Sequence, residues 1–482
     1  MKLLNIISDF GLINVREECG VSGIILNNQG PQTNITAFKL YYSLYALQHR
    51  GQDSTGIVVF DGLKSRHVKS MGLVSEAYNK QNIKDLTGYV GIGHVRSATE
   101  GTAIIENCQP FTINFRGSPI AISHNGSLVN AKELREEIES EGRILMTDLD
   151  AEIIALILVK ELLKRNPIEA IQAVMKKLVG SYGLTIILNG DLYAVRDPLG
   201  IKPLCYGTID GGFAVVSESV GLDTINGKFV RDILPGEIVA LTKDGKVRSV
   251  ETEKDPKTAH CIFEYIYLAR PDSVIDGKLV YEVREKIGKQ LAKEHGVPDG
   301  DIVCPVPDSG IASAIGYARE SKIMYLEGLM KNRYIGRTFI LPTQESRDMA
   351  IRLKMNTIDT NLKDKKVVLV DDSIVRGTTS RRIIDMMRKS GTDEIHLRVA
   401  SPPIMGPCYF GTSMASRNEL IASKKTNEGI CTLIGADTLE YISIEGLVSA
   451  IGIPEEKLCL GCVTQKYPLK IEGEKTRELK DE

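Results

Sequence analysis

The sequence predicts two domains of different class, an α+β domain with antiparallel sheet followed by an α/β domain with a parallel sheet. Three observations predict it. Across residues 50–250, apolar runs of strand length outnumber helical stretches, and tight-turn signals recur between them. Beyond residue 255, strand-like and helix-like stretches alternate, the rhythm of right-handed βαβ units. The length, 482 residues, suits roughly two to four domains. The expected divisions are a leader over 1–18, a first domain over 19–255, a second over 256–470 and a charged tail over 471–482.

The leader ends at Val15-Arg16-Glu17-Glu18 and carries no strand or helix signal of its own. From Cys19 the pattern becomes regular. Cys19-Gly20-Val21-Ser22-Gly23-Ile24-Ile25-Leu26 reads as a buried strand, and Thr36–His49 as a helix with an apolar stripe of Phe38, Tyr41, Tyr42 and Tyr45. Two apolar runs within 181–196 flank Asn189-Gly190. Both of those residues accept positive φ, so a tight hairpin is expected there. In the second half a helix over 279–294 precedes the strand Asp301–Val306, a helix from Ile311 and the short strand Ile323–Leu326. A basic segment, 331–354, follows. The apolar strand Val367–Val370 then leads through a loop into the helix Ser380–Lys389 and the strand Glu394–Ala400. The last 13 residues carry nine charges, which predicts a solvated tail.

Composition narrows the classes of partner. Hydrophobic residues at 43% and charged residues at 25% exclude disorder as the dominant state. The formal charge of −2 offers no attraction for nucleic acid or an anionic membrane. No apolar run approaches the ~20 residues that span a bilayer, and Leu3–Ile7 is too short for a secretory signal. Nine cysteines in no disulfide-like spacing predict a cytoplasmic protein whose thiols serve chemistry or metal.

The most informative stretch is Val367-Val368-Leu369-Val370-Asp371-Asp372-Ser373-Ile374-Val375-Arg376-Gly377-Thr378-Thr379. An apolar strand runs into two carboxylates, then into a Gly/Thr-rich loop opening a helix. A helix N-terminus offers unpaired N–H groups and a positive dipole end to a phosphate. The carboxylates can grip ribose hydroxyls or the water shell of Mg²⁺. No Gly-x-x-x-x-Gly-Lys-Ser/Thr occurs here, which excludes a P-loop. This stretch resembles the phosphoribosyltransferase family. The resemblance implies that Asp371 and Asp372 face the ribose and Mg²⁺ of phosphoribosyl pyrophosphate, and that Ser373–Thr379 hold its 5′-phosphate. Pro305-Val306-Pro307-Asp308-Ser309-Gly310 is similar to the family's pyrophosphate loop, with Ser309 joining the Mg²⁺ site. Lys331-Asn332-Arg333-Tyr334-Ile335-Gly336-Arg337-Thr338, with Arg347, Arg352 and Lys354, resembles the lid that closes over the pyrophosphate.

Four patches of the first half fit one chemistry: Cys19-Gly20-Val21, Gln48-His49-Arg50-Gly51-Gln52, Gly93-His94-Val95-Arg96 and His124-Asn125-Gly126. In this order they resemble the N-terminal-nucleophile glutamine amidotransferases, whose fold stacks antiparallel sheets between helices. The resemblance implies Cys19 as nucleophile once residues 1–18 are removed, Arg96 on the glutamine α-carboxylate, and Asn125 with the Gly126 N–H as oxyanion hole. It implies Asp150 on the α-amino group, chosen over Asp148 because Ile153-Ile154 follows it. Arg96-Ser97-Ala98-Thr99 departs from the Arg-Tyr-Ser-Thr common in that family.

A glutaminase half followed by a phosphoribosyltransferase half resembles the amidophosphoribosyltransferase family of purine synthesis, from Cys19 to about Pro468. The resemblance implies glutamine and phosphoribosyl pyrophosphate as substrates, purine nucleotides as feedback inhibitors, and a homo-oligomer. It implies passage of ammonia between the halves. Cys261, Cys408, Cys459 and Cys462 remain, and a single Cys-x-x-Cys reads by default as structural zinc. The flanking Glu264-Tyr265-Ile266-Tyr267-Leu268-Ala269-Arg270-Pro271 and Ser401-Pro402-Pro403 match the branch of the family in which four thiolates ligate a [4Fe–4S] cluster. Two other classes share some of these features. Glucosamine-6-phosphate synthase has the amidotransferase motifs but no need for Asp371-Asp372-Ser373. A non-catalytic nucleotide- or RNA-binding regulator would need no intact Cys19–Arg96–Asn125 set.

Overall fold

Among the described residues, thirteen short strands between residues 20 and 251 divide into two antiparallel sheets. They are β1 (Gly20–Leu26), β2 (Ser54–Phe60), β3 (Ser65–Met71), β4 (Val90–Arg96), β5 (Phe111–Phe115), β6 (Ser118–Leu128), β7 (Gly180–Leu188), β8 (Asp191–Arg196), β9 (Cys205–Ile209), β10 (Gly212–Val216), β11 (Lys228–Asp232), β12 (Glu237–Leu241) and β13 (Val247–Glu251). The structure is a computed structural model and describes residues 19–27, 33–97, 103–252, 257–332, 355–412, 414 and 416–471. The leader, most of the basic segment including Arg333, and the end of the tail lie outside the described residues.

One sheet runs β11-β9-β10-β1-β4-β2-β3, the other β13-β12-β8-β7-β6-β5. They stack face to face, because Val21, Ile25, Val58 and Ile92 of the first form one core with Ala121, Ile187, Ala194 and Val239 of the second. The outer faces are covered by helices. Ile35–Ala46 packs Ala37, Leu40 and Leu44 against the first sheet, and Asp150–Leu162 with Pro167–Met175 covers the second. The expected hairpin joins β7 to β8 through Asn189 (φ 53°) and Gly190 (φ 82°). The helical stripe differs from expectation. Tyr42 and Tyr45 are about half exposed (51% and 54%), because the sheet selects the smaller, leucine-bearing face. Phe38 and Tyr41 pack at the margin of that core as expected, and the rings also meet one another, with Tyr41 5.2 Å from Tyr42 and 6.1 Å from Tyr78.

Among the described residues, the second half is built on a five-stranded, wholly parallel sheet in the order Met324–Tyr325, Ile302–Pro305, Lys366–Asp371, Glu394–Val399, Thr438–Tyr441. Strict alternation sends Val368 and Val370 to one apolar core, Val367 and Leu369 to the other. Such two-sided burial explains the unbroken apolar run read in the sequence. The chain leaves Ile302–Pro305 toward one side of the sheet and returns to Lys366–Asp371 on the other. The carboxyl ends of these two strands therefore border a topological switch point, where open α/β sheets bind ligands. Thr438–Tyr441 and the helices Asn427–Ile434 and Ile444–Ile451 complete the layer and did not figure in the sequence reading.

Candidate active sites

Pairing of Gly20 with Val95 sets Cys19, just before β1, beside the end of β4. Its thiol lies part-buried, 3.8 Å from the Ser97 carbonyl. Burial pushes the thiol pKa up and the Arg96 charge pulls against that. Arg96 closes β4 and is buried. Two residues earlier, His94 Nε2 lies 3.0 Å from the His124 carbonyl, a contact that crosses from one sheet to the other. It brings Arg96 to the part of β6 that holds Asn125 and Gly126. Burial pushes His94 to about 3 and His124 to about 4, so both are neutral. A base that weak takes a thiol proton poorly.

Both polar atoms of the Asn125 amide are buried without a hydrogen-bond partner among the described residues. A buried unpaired amide is costly unless a ligand completes it. Gly126 has φ 142°, and a Cβ there would overlap the Ser181 carbonyl oxygen, so only glycine fits. Three acidic residues lie close by at 148–152. Asp148 is exposed and accepts from the Asn107 amide at 3.1 Å. Glu152 is buried and caps the Met146 and Thr147 N–H groups. Asp150 alone is tied to β6, accepting the Leu128 N–H at 2.9 Å. Burial raises its pKa to about 6, against the Leu128 N–H and the Arg135 charge.

In the second half, the loop after Pro305 and the loop after Asp371 stand side by side because their strands pair, Pro305 opposite Val370. Asp371 and Asp372 are buried. Burial and the neighbouring Asp372 push Asp371 well above the usual carboxylate range. Burial also raises Asp372, against hydrogen bonds from the Ser309 and Ser373 hydroxyls and the charge of Arg284. Ser309, from one loop, thus meets Asp372 from the other. Gly310 N–H donates to the Val306 carbonyl at 2.9 Å, tightening the first loop. Lys331 Nζ reaches Asp308 at 2.9 Å, so the start of the basic segment lies over this loop. The helix Thr378–Lys389 begins at Gly377 with no side-chain cap, leaving its first N–H groups to another acceptor. Ile374 and Val375 are buried in opposite cores and offer backbone only. Arg376 is exposed and paired with Glu419 at 2.8 Å, while Thr379 is buried and Thr378 exposed.

Cys261 and Cys459 face each other across a short parallel pair of strands, His260–Cys261 with Leu458–Cys459. Together with Cys408 and Cys462 they line one cavity, which Lys202 and Phe410 also line. Burial pushes Cys459 to about 12, and Cys261 and Cys462 well above the ordinary thiol value.

Several buried groups at the junction of the halves escaped the sequence reading. Arg50 pairs through Nε with Glu218 and through its other nitrogens with Glu264 (2.6 and 3.2 Å). Glu218 also meets His49 Nε2 at 2.6 Å and accepts from Ser273 Oγ at 2.6 Å and the Arg270 N–H at 2.9 Å. Against the opposing pull of burial, the Arg50 and His49 charges hold Glu218 well below the usual carboxylate range. Arg284 donates to the carbonyls of Tyr265 and Ala269, both at 2.8 Å, and burial lowers it to about 10, against the attraction of Asp372. Arg284 stands among Glu282, Glu285 and Lys286, a context that reads as solvated surface. The Gln48-His49-Arg50-Gly51-Gln52 motif was the one signal for the first network.

Comparison with known proteins agrees with both halves. A family model described as a glutamine amidotransferase domain matches residues 94–224. The amidophosphoribosyltransferase of Methanocaldococcus jannaschii is 50% identical over 473 residues, covering 95% of this chain and 99% of its own. That of Methanothermobacter thermautotrophicus is 51% identical over 459 residues, covering 95% and 96%. The solved glutamine phosphoribosylpyrophosphate amidotransferase of B. subtilis, complexed with ADP and GMP, matches with a TM-score of 0.88 at 39% identity. It covers 95% of this chain and 98% of that one. At such identity over nearly the whole length of both partners, the chain belongs to the amidophosphoribosyltransferase family of purine biosynthesis.

Proposed function

We propose that Cys19, Arg96, Asn125, Gly126 and Asp150 release ammonia from glutamine, and that the loops at Asp308–Gly310 and Asp371–Thr379 join it to phosphoribosyl pyrophosphate. The products are 5-phosphoribosylamine, glutamate and pyrophosphate. The observation that carries the reading is the buried Asn125 amide, without a hydrogen-bond partner among the described residues, on the strand that His94 ties to the end of β4 where Cys19 and Arg96 lie.

In the first half the Cys19 thiolate attacks the carboxamide carbon. Charge developing on the carbonyl oxygen meets the Asn125 amide and the Gly126 N–H, and it collapses back as ammonia leaves. Water then cleaves the thioester to glutamate. Arg96 offers its planar fork to the α-carboxylate, and Asp150 offers an anion to the α-ammonium. The thiol proton needs a base, and His94 and His124 are too weak. Removal of residues 1–18 would free the Cys19 α-amine, which titrates near ~7.7–8.0 and sits beside the thiol. The cut would precede β1 and leave it whole.

In the second half the first N–H groups of Thr378–Lys389 and the Ser373–Thr379 loop receive the 5′-phosphate. Lys331, with Arg333 beyond the described residues, receives the pyrophosphate. Mg²⁺ suits Asp371, Asp372 and Ser309, since the two carboxylates are buried side by side and stay raised although the Arg284 charge acts on Asp372. Bound there, it would supply positive charge to the departing pyrophosphate. Ammonia in bulk water would be protonated and inert, so it passes between the halves enclosed.

The four thiols of the cavity suit a [4Fe–4S] cluster. Cys261, Cys408, Cys459 and Cys462 share one cavity, and four cysteine thiolates are the donor set such a cluster takes. A cluster spreads its ligands further apart than zinc does, and its iron would hold as thiolates groups that burial otherwise keeps protonated. Purine nucleotides, by likeness to the B. subtilis complex with ADP and GMP, are proposed as feedback inhibitors of a cytoplasmic homo-oligomer. No helix among the described residues is long and apolar enough to cross a membrane.

Cys19→Ala tests the division of labour. Synthesis from glutamine should vanish while synthesis from added ammonia persists. Loss of both, or of neither, would refute the assignment.

A further inference from the structure

Gly126 is enclosed on two sides by backbone. On one side stands Ser181 of β7, whose carbonyl oxygen occupies the place a Cβ would need. On the other stands Gly411, from the second half of the chain. Gly411 has φ 92°, and a Cβ built on it would lie 2.8 Å from the Gly126 carbonyl carbon and 3.1 Å from its Cα and oxygen. The preceding residue is tied to the same strand, since Ser181 Oγ donates to the Phe410 carbonyl at 2.8 Å within the interior. The same hydroxyl accepts the Ser127 N–H at 3.3 Å. Phe410 is itself buried, and its N–H donates to Cys408 Sγ at 3.4 Å. On both faces of Gly126 the nearest atoms are backbone, which cannot swing aside.

We propose that Phe410-Gly411 is the rear wall of the oxyanion loop, and that Gly411 and Ser181 are positioning residues for glutamine hydrolysis. The inference rests on the assignment of Asn125 and Gly126 as the oxyanion donors. Such donors act only when held where the charge will appear, and small displacements forfeit much of their effect. A wall of glycine and backbone carbonyl admits the closest approach and the least motion. It also makes the donor geometry of the ammonia-producing site depend on a segment of the ammonia-consuming half.

The test compares Gly411→Ala, Ser181→Ala and Asn125→Ala in the full-length chain, measuring synthesis from glutamine and from ammonia on the same preparations. Gly411→Ala should lower kcat with glutamine about 10–100-fold, leave KM for glutamine within about twofold, and spare synthesis from ammonia. Ser181→Ala should move the same parameter less far. A second readout is inhibition by the γ-aldehyde analogue of glutamine. Its carbon bonds to Cys19 Sγ while the carbonyl electrons move to oxygen, creating the oxyanion without chemistry to follow. In Gly411→Ala this analogue should weaken by the same factor as kcat, while competitive binding of glutamate stays unchanged. An unchanged glutamine kcat in Gly411→Ala, with Asn125→Ala impaired, overturns the proposal alone. An unchanged rate in Asn125→Ala overturns the oxyanion assignment instead. If Gly411→Ala loses both activities through misfolding, Ser181→Ala decides: loss confined to glutamine sustains the wall, and no loss removes it.

Discussion

The proposed ammonium site puts two demands of opposite sign on Asp150. Its carboxylate must be charged to hold an ammonium, yet burial raises its pKa to about 6. The folded state therefore binds that proton more tightly than the unfolded chain, whose aspartate titrates near ~3.9. The sign follows: stability contributed by the protonated group is full below that unfolded value and is lost as pH rises through about 6. Asp150→Asn should accordingly raise unfolding stability at pH 8 by about 3 kcal/mol, measured by urea denaturation, while abolishing saturable use of glutamine. In the unaltered protein, KM for glutamine should climb as pH falls below about 6, with synthesis from ammonia lacking that limb. A pH-independent KM would remove Asp150 from the ammonium site. The sequence favours Asp150 over Asp148 because Ile153-Ile154 follows it, and the structure adds that Leu128 N–H donates to Asp150.

Among elements, the turn Glu264–Leu268 joins the halves. Its first side chain receives the Arg50 fork from the glutaminase half, and Arg284 holds the carbonyls of Tyr265 and Ala269 from behind. Every ionic partner is buried, and removing one member of such a network strands a charge in the interior. Glu264→Ala should destabilise by about 3–5 kcal/mol, read as a fall in the urea midpoint, whereas Glu264→Gln should lose less because it keeps an acceptor. Equal, small effects would show that water reaches Arg50. Other elements were open to local reading. Asn189-Gly190 marked its hairpin because the turn needs two positive φ values. Thr426 and Gly435, like Ser443 and Gly452, flank eight-residue helices as hydroxyl N-cap and left-handed glycine. Those signals were present and passed over. The helix Ile35–Ala46 misled in the other direction, since four aromatic residues outweighed the Ala37–Leu40–Leu44 face that the sheet selects.

At the scale of the molecule, the cysteine cavity draws together three stretches that are remote in sequence, at 261, 408 and 459–462. Lys202, from the first half, lines the same space. A cluster bound there would close the second half onto the junction, so its binding energy would be folding energy. Protein purified without air should be brown, with iron and sulfide near four of each per chain. Cys459→Ser should lower the yield of folded protein. Zinc as the bound metal after anaerobic preparation would return the four thiols to a structural zinc site.

Periodicity and a few motifs suffice to determine two domain classes, the parallel sheet, the nucleophile Cys19 as a candidate and the acidic pair at 371–372. These are short-range signals, set by the φ a turn allows, the faces a strand buries and the loop a phosphate accepts. What lies across the halves was decided by packing alone. Nothing local in Glu218, Arg284 or Gly411 distinguishes a buried partner from a surface charge or an ordinary turn. Their roles depend on which strand end meets which loop, and that is fixed by how two sheets stack and where a third is laid against them. An ion pair such as Arg50–Glu264 spans 214 residues, and no sequence window carries its partner's position, because the desolvation that gives it strength exists only once the interface has closed.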